Sequence, residues 1–248
     1  MAPLLAQSWL VELEVPGFAS AKLAVPVGAT GPRPIVIALH GVADRPEWAC
    51  GAYRGIVGGK PFVLCPRGVK RKDLSAAEDR YTFGSADDTS RELRAALTAL
   101  KSVYGAYVAA GSVTLAGFEL GADHAAQIAL QEPSFFSRLV LVAASKEAWP
   151  SSAASLFGRQ GGELVLLASG AARQSDVTWQ AALTRRGGAE ARAILLLGDP
   201  PDLGPDSVSR LSQSRPLLEA AKSSRISSGN LTGNALPLGG PVLGRPKP

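Results

Sequence analysis

An apolar run at residues 113–116 leads straight into Gly117-Phe118-Glu119-Leu120-Gly121, and a helical pattern follows over residues 121–131. Glycines at that spacing let a strand turn sharply into a helix, because neither adds a Cβ where the two chains pass closely. The residue between them is raised to the tip of the turn, beside the positive end of the helix. A serine there is a nucleophile for acyl transfer. Here the position holds Glu119, whose carboxylate could attack a carbon–halogen or epoxide carbon, or take a proton from water. A second candidate is Leu39-His40-Gly41-Val42, at the end of the apolar run 35–39. Gly41 permits a sharp turn, which can aim a backbone N–H at a developing oxyanion.

A base to serve either chemistry is hard to find. The chain has two histidines, His40 and His124, and none beyond residue 124. His40 belongs to the HG turn and is expected to pack beneath it. His124 falls in the second turn of the helix after the elbow, on the side expected to face the sheet. Asp123 precedes it, but neighbours on a helix point about 100° apart and do not readily pair. Cys65, Ser145 and Ser169 stand near strand ends with no evident base and read as structural.

The other chemical classes are thinly represented. Two histidines far apart in sequence, with no acid cluster, build no metal site, and Asp87-Asp88 reads as helix N-terminal charge. Gly-Gly pairs at 161–162 and 187–188 lack nucleotide-loop spacing. No cofactor is expected. Cys50 and Cys65 are either a disulfide or two half-buried thiols. The net charge of +5 includes +3 from Arg225, Arg245 and Lys247 in an acid-free tail. The body is thus nearly balanced, and nucleic acid is not an expected partner. The basic run Arg67, Lys70, Arg71, Lys72 reads as a solvated loop, with an anion-binding patch as the sharper alternative. No apolar run reaches the ~20 residues of a membrane span. The first residues have no basic n-region and carry Glu12 and Glu14, which reads as cytoplasmic; export would need a removed leader or another start.

The elements that must position these residues are legible from hydropathy. Residues 9–15 alternate, and 21–25 can pair with them. Short, nearly continuous apolar runs follow at 35–39, 62–64, 113–116, 139–143, 164–167 and 193–197, as parallel strands buried on both faces require. Helical patterns occupy 87–103, 121–131, 176–186 and 206–222. Strands alternating with helices predict a three-layer α/β/α fold with a doubly wound, mostly parallel sheet, spanning residues 1–222. Residues 223–248, with nine Gly or Pro, read as a disordered tail. A glycosylation triplet at Asn230-Leu231-Thr232 is the kind that chance supplies.

The order of elements, with HG and the G-x-E-x-G elbow on the strands that carry them, resembles the α/β-hydrolase superfamily over residues 8–222. The resemblance is to compact esterases of the carboxylesterase, phospholipase and feruloyl-esterase type. Trp48-Ala49-Cys50-Gly51 and Arg80-Tyr81-Thr82-Phe83-Gly84 look like segments of exported or lipid-anchored bacterial hydrolases. The resemblance implies a nucleophile at 119 and an oxyanion hole at Gly41, Val42 and Leu120. It implies an acid in the loop 169–176, where Arg173 stands at the usual offset and Asp176 is a late substitute. It implies a base just past the last strand, where the sequence reads Gly198-Asp199-Pro200 instead. Serine, acid and histidine all fail to match, so the resemblance implies the fold of an esterase with a degenerate triad.

Three readings follow. The first is a non-catalytic protein that binds a small ester-like or carboxylate ligand, or a partner, in the old cleft, with His40 and Arg173 as binding residues. In that reading the Glu119 carboxylate folds into the vestigial oxyanion hole, or pairs with Arg173. The second is an active hydrolase using Glu119, by analogy with the elbow Asp of haloalkane dehalogenases and epoxide hydrolases. Glu is one methylene longer, and no histidine is present to clear the ester. The third is an interaction protein acting through its tail or basic loop.

Overall fold

The computed structural model describes residues 1–111, 113–169, 171–196 and 209. In chain order the strands are β1 (Leu10–Leu13), β2 (Ala21–Ala24), β3 (Ile35–Leu39), β4 (Phe62–Cys65), β5 (Val69–Lys70), β6 (Tyr81–Thr82), β7 (Thr114–Phe118), β8 (Arg138–Val142), β9 (Glu163–Ser169) and β10 (Glu190–Leu196). The helices are α1 (Pro46–Val57), α2 (Ala86–Tyr104), α3 (Leu120–Gln131), α4 (Ser151–Arg159) and α5 (Ala171–Arg186). Eight strands form one sheet in the order β1-β2-β4-β3-β7-β8-β9-β10, and β5 pairs with β6 as a separate hairpin. β1 and β2 are antiparallel to their neighbours; from β4 to β10 every pairing is parallel.

The apolar runs divide by alternate residues between two cores. Ile35, Ile37 and Leu39 pack with Leu93 and Leu97 of α2 and Ala122 and Ala126 of α3. Val36 and Ala38 point the other way, into a core with Ala49, Tyr53 and Ile56 of α1. Both faces of β3 are thus buried, which is why its sequence shows no polar alternation. Each fully buried Leu or Ile contributes about 2 kcal/mol of transfer free energy. α2 starts where Ser85 accepts from Asp88 N–H and Asp88 reaches back to Ser85 N–H, a reciprocal cap.

Several expectations are corrected in detail. β1 is shorter than the alternating run, and α4 lies in a stretch of small residues whose helical period is not evident. α5 begins at Ala171, so most of the segment read as a loop before Asp176 is helix. The basic run is a solvated loop only in part: Lys70 and Lys72 are exposed, but Arg67 is not. Val69 and Lys70 form β5, and the Arg67 guanidinium, 17% exposed, pairs with Glu12 at 2.9 Å and donates to Ser20 O at 2.7 Å. The helical pattern at 206–222 and the tail lie outside the described residues, Ser209 apart. Among the described residues no helix is long and apolar enough to cross a membrane.

Two glycines set the crossing of β7 and α3. A Cβ on Gly117 would lie 2.2 Å from Gly121 O, and one on Gly121 would lie 2.5 Å from both His40 O and Leu39 O. These neighbours are backbone atoms, so relief requires moving a strand or a helix. The opposite face is tied to the same point. The Tyr53 hydroxyl of α1 donates to Gly117 O at 3.2 Å, and burial pushes that phenol well above its ordinary pKa. Cys50 and Cys65 form a disulfide (S–S 2.11 Å), fully buried, that joins α1 to the end of β4. The open alternative of two thiols is thereby decided.

Buried polar groups hold the loops at this end of the sheet. His40 is fully buried, stacked on Phe83 at 4.5 Å, with its ring nitrogens 2.9 Å from Gly41 O and Arg67 O. Glu92 of α2 accepts from Arg67 N–H and Gly68 N–H, each at 2.9 Å. Burial pushes its carboxyl pKa up, against the pull of those N–H groups. One turn earlier, Thr89 Oγ1 lies 3.0 Å from His124 Nδ1. Burial lowers the His124 pKa, and Asp123 only partly opposes this.

Three outcomes are expected. Gly121→Ala costs about 3 kcal/mol or more in denaturant unfolding, because the new methyl meets two backbone carbonyls. Glu92→Ala costs about 2 kcal/mol by orphaning two N–H groups, whereas Glu92→Gln, which keeps an acceptor and avoids burying a charge, costs less than about 1. His124 has a folded pKa below its unfolded value, so its contribution is present above pH ~6.5 and lost as pH falls through the folded value. Unfolding free energies measured from pH 8 to 5 should fall on acidification, and His124→Gln should flatten that slope.

Candidate functional site

Glu119 sits between β7 and α3 with φ 49° and ψ −119°. That is a strained conformation for a residue with a Cβ, and such outliers persist only where surrounding structure enforces them. The enforcement is the glycine crossing below it, together with a 2.9 Å hydrogen bond from Glu119 N–H to Val142 O of β8. The elbow predicted from G-x-E-x-G is therefore formed, and it projects Glu119 at the C-terminal edge of the sheet, where ligands bind in open α/β folds.

Opposite it runs the turn from His40 to Arg45. Gly41 is buried, Val42 is exposed, and Ala43 takes a left-handed φ of 53°. A Cβ on Gly41 would lie 2.7 Å from Glu119 Oε2 and 3.0 Å from the Phe118 ring. The carboxylate therefore lies beside Gly41. It does not complete the plugged oxyanion hole of the first reading. Glu119 is exposed, and among the described residues its carboxylate takes part in no hydrogen bond or ion pair. The Gly41 N–H faces Asp44 Oδ2 at 3.5 Å instead. Leu120 is the first residue of α3, its N–H at the helix end nearest Glu119.

The expected pairing of Arg173 with Glu119 is not formed. Arg173 lies in the first turn of α5 and donates to Ala144 O. That carbonyl, two residues past the end of β8, is a fixed backbone acceptor and holds the guanidinium. Asp176 is on the same helix, with Lys146 Nζ at 3.8 Å, so it is engaged away from any histidine. Asp199 lies outside the described residues. Asp123, one turn after the elbow, accepts from Ser145 N–H at 2.7 Å and so braces the loop after β8. Sequence reasoning left that brace unassigned, and no spacing rule would reveal it, since the two residues meet only across the sheet edge.

Both histidines are accounted for structurally. His40 lies under the HG turn, and His124 is buried against Thr89 on the side of α3 facing α2. Among the described residues no group of three or more His, Cys, Asp or Glu could hold a metal ion.

No protein-family model matches the chain, and no curated protein matches it by sequence. Solved structures do. TT1662 from Thermus thermophilus superposes with a TM-score of 0.59 at 17% identity, covering 85% of this chain and 96% of its own. An esterase from Rhizomucor miehei gives 0.55 at 13% identity, covering 85% and 82%. An S-formylglutathione hydrolase from Agrobacterium tumefaciens gives 0.53 at 16% identity, covering 86% and 96%. At such identities the likeness concerns architecture alone. With the strand order, the elbow and the turn after β3, it leads to one conclusion: the chain has the α/β-hydrolase fold.

Proposed function

We propose that this chain is an esterase-like fold without ester-hydrolysing chemistry, which holds a small ester-like or carboxylate ligand in its vestigial cleft. The observation that carries this reading is the state of the histidines. The chain has two, both are buried, and each bonds a structural partner. Acyl transfer at an elbow needs a base within hydrogen-bond reach of the nucleophile. Glu119 itself has no hydroxyl to acylate, and triad members act as a unit whose loss costs roughly 10^6-fold in kcat.

The position of the carboxylate adds a second obstacle. In an acyl-transfer site the region beside Gly41 stabilises an oxygen that gains negative charge. With Glu119 Oε2 resting there, that oxygen would meet a like charge instead of a pair of N–H donors. The same geometry suits a ligand that never becomes tetrahedral.

Hydrolysis of p-nitrophenyl acetate and butyrate by the purified chain tests this, with Glu119→Ala and heat-denatured protein as controls. The expected result is a wild-type rate no greater than that of Glu119→Ala. A wild-type excess that disappears in Glu119→Ala would establish the alternative, an active hydrolase in which Glu119 is nucleophile or base.

A further inference from the structure

The HG turn joins the elbow to a second cluster that the site so far leaves unused. Gly41, at its start, abuts Glu119; Asp44, near its end, exchanges backbone hydrogen bonds with Tyr81 of β6. Beside that junction the Trp48 ring, 51% exposed in the first turn of α1, has Arg80 over it at 4.5 Å and Arg45 at 5.7 Å. The two cations are not equivalent. Arg45 is engaged by acids, with Asp79 at 3.5 Å and Glu47 at 3.9 Å. Among the described residues no acid pairs with Arg80.

A guanidinium stacked on an indole uses its face and keeps its N–H edge free. The stack also restricts the side chain before any ligand arrives, so less entropy is lost on binding. Arg80 is thus a preorganised fork whose geometry matches a carboxylate. The partly exposed Trp48 ring supplies apolar surface at the same spot, and Val42, 47% exposed, supplies more on the turn that runs from Gly41, beside Glu119, to Asp44, beside Tyr81. Glu119, at the other end of that turn, repels an anion. A ligand with one acidic and one apolar part would accordingly set its acid on Arg80 and its apolar body along the turn.

We infer that the Arg80–Trp48 stack is the anchor for the carboxylate of an aromatic acid at the rim of the cleft. This rests on the reading that the cleft holds a ligand, and it names that ligand's chemistry. Indole N–H resonances of the full-length chain, with Trp48 assigned through Trp48→Phe, are followed during titration with benzoate, with its neutral counterpart benzamide, and with inorganic phosphate. Benzoate should move the Trp48 resonance, with benzamide and phosphate weaker. Arg80→Gln should weaken benzoate by about tenfold or more, and Arg80→Lys by less, at unchanged melting temperature.

Equal benzoate binding in wild type and Arg80→Gln overturns the anchor. So does phosphate binding as tight as benzoate, or no benzoate response in the wild type. Benzoate binding that is unchanged in Arg80→Gln but tightens in Glu119→Ala keeps the ligand-binding cleft while removing Arg80 from it. The ester assay, which does not involve Arg80, reports on the loss of chemistry separately.

Discussion

The closest backbone approach at this site is where β7 turns into α3, and the candidate site depends on it. Gly117 and Gly121 leave no room for a methyl group against carbonyl oxygens of the crossing chains. That crossing forces the intervening residue into a left-handed conformation and lifts it over the sheet edge. The constraint is indifferent to which side chain stands at the tip. A serine would be raised there as a nucleophile; Glu119 is raised there as a charged arm. Packing at the glycine crossing, not the side chain at its tip, therefore maintains the elbow.

The surroundings reinforce that separation. α1 is fixed to the elbow strand through Tyr53 and to β4 through the disulfide. The HG turn is held from below by His40, and Glu92 holds the adjoining loop by two backbone N–H groups. Each of these polar groups is buried and satisfied, which rigidifies the loops. The histidines have been drawn into this support. Both imidazoles of the chain bond structural partners, Arg67 O for His40 and Thr89 for His124.

Much of the fold was legible because parallel strands buried on both faces must be apolar throughout, and runs such as IVIAL at 35–39 have few other readings. The elbow was legible for a related reason: only glycine tolerates that approach. What escaped is what tertiary contact decides. Fifteen residues between Cys50 and Cys65 fix neither their distance nor their orientation; the packing of α1 on β4 does. Arg67 sat in a run of cations that local sequence makes look solvated, yet Glu12, distant in sequence, draws it inward. Arg173 stands at the offset of the family's acid, where an ion pair with Glu119 is one possibility, but the backbone carbonyl of Ala144 takes it. α5 starts earlier than its sequence pattern suggests, because residues 169–176 resemble the loop an acid would occupy.

The proposal of a formed elbow without a base is tested by the single variant Glu119→Ser, assayed with p-nitrophenyl acetate by stopped flow and by intact-protein mass. If no base serves position 119, the variant shows neither steady turnover above wild type nor an accumulating acyl-enzyme. A burst of p-nitrophenol followed by sustained turnover in that variant would contradict it, and would mean that a proton acceptor serves position 119 after all.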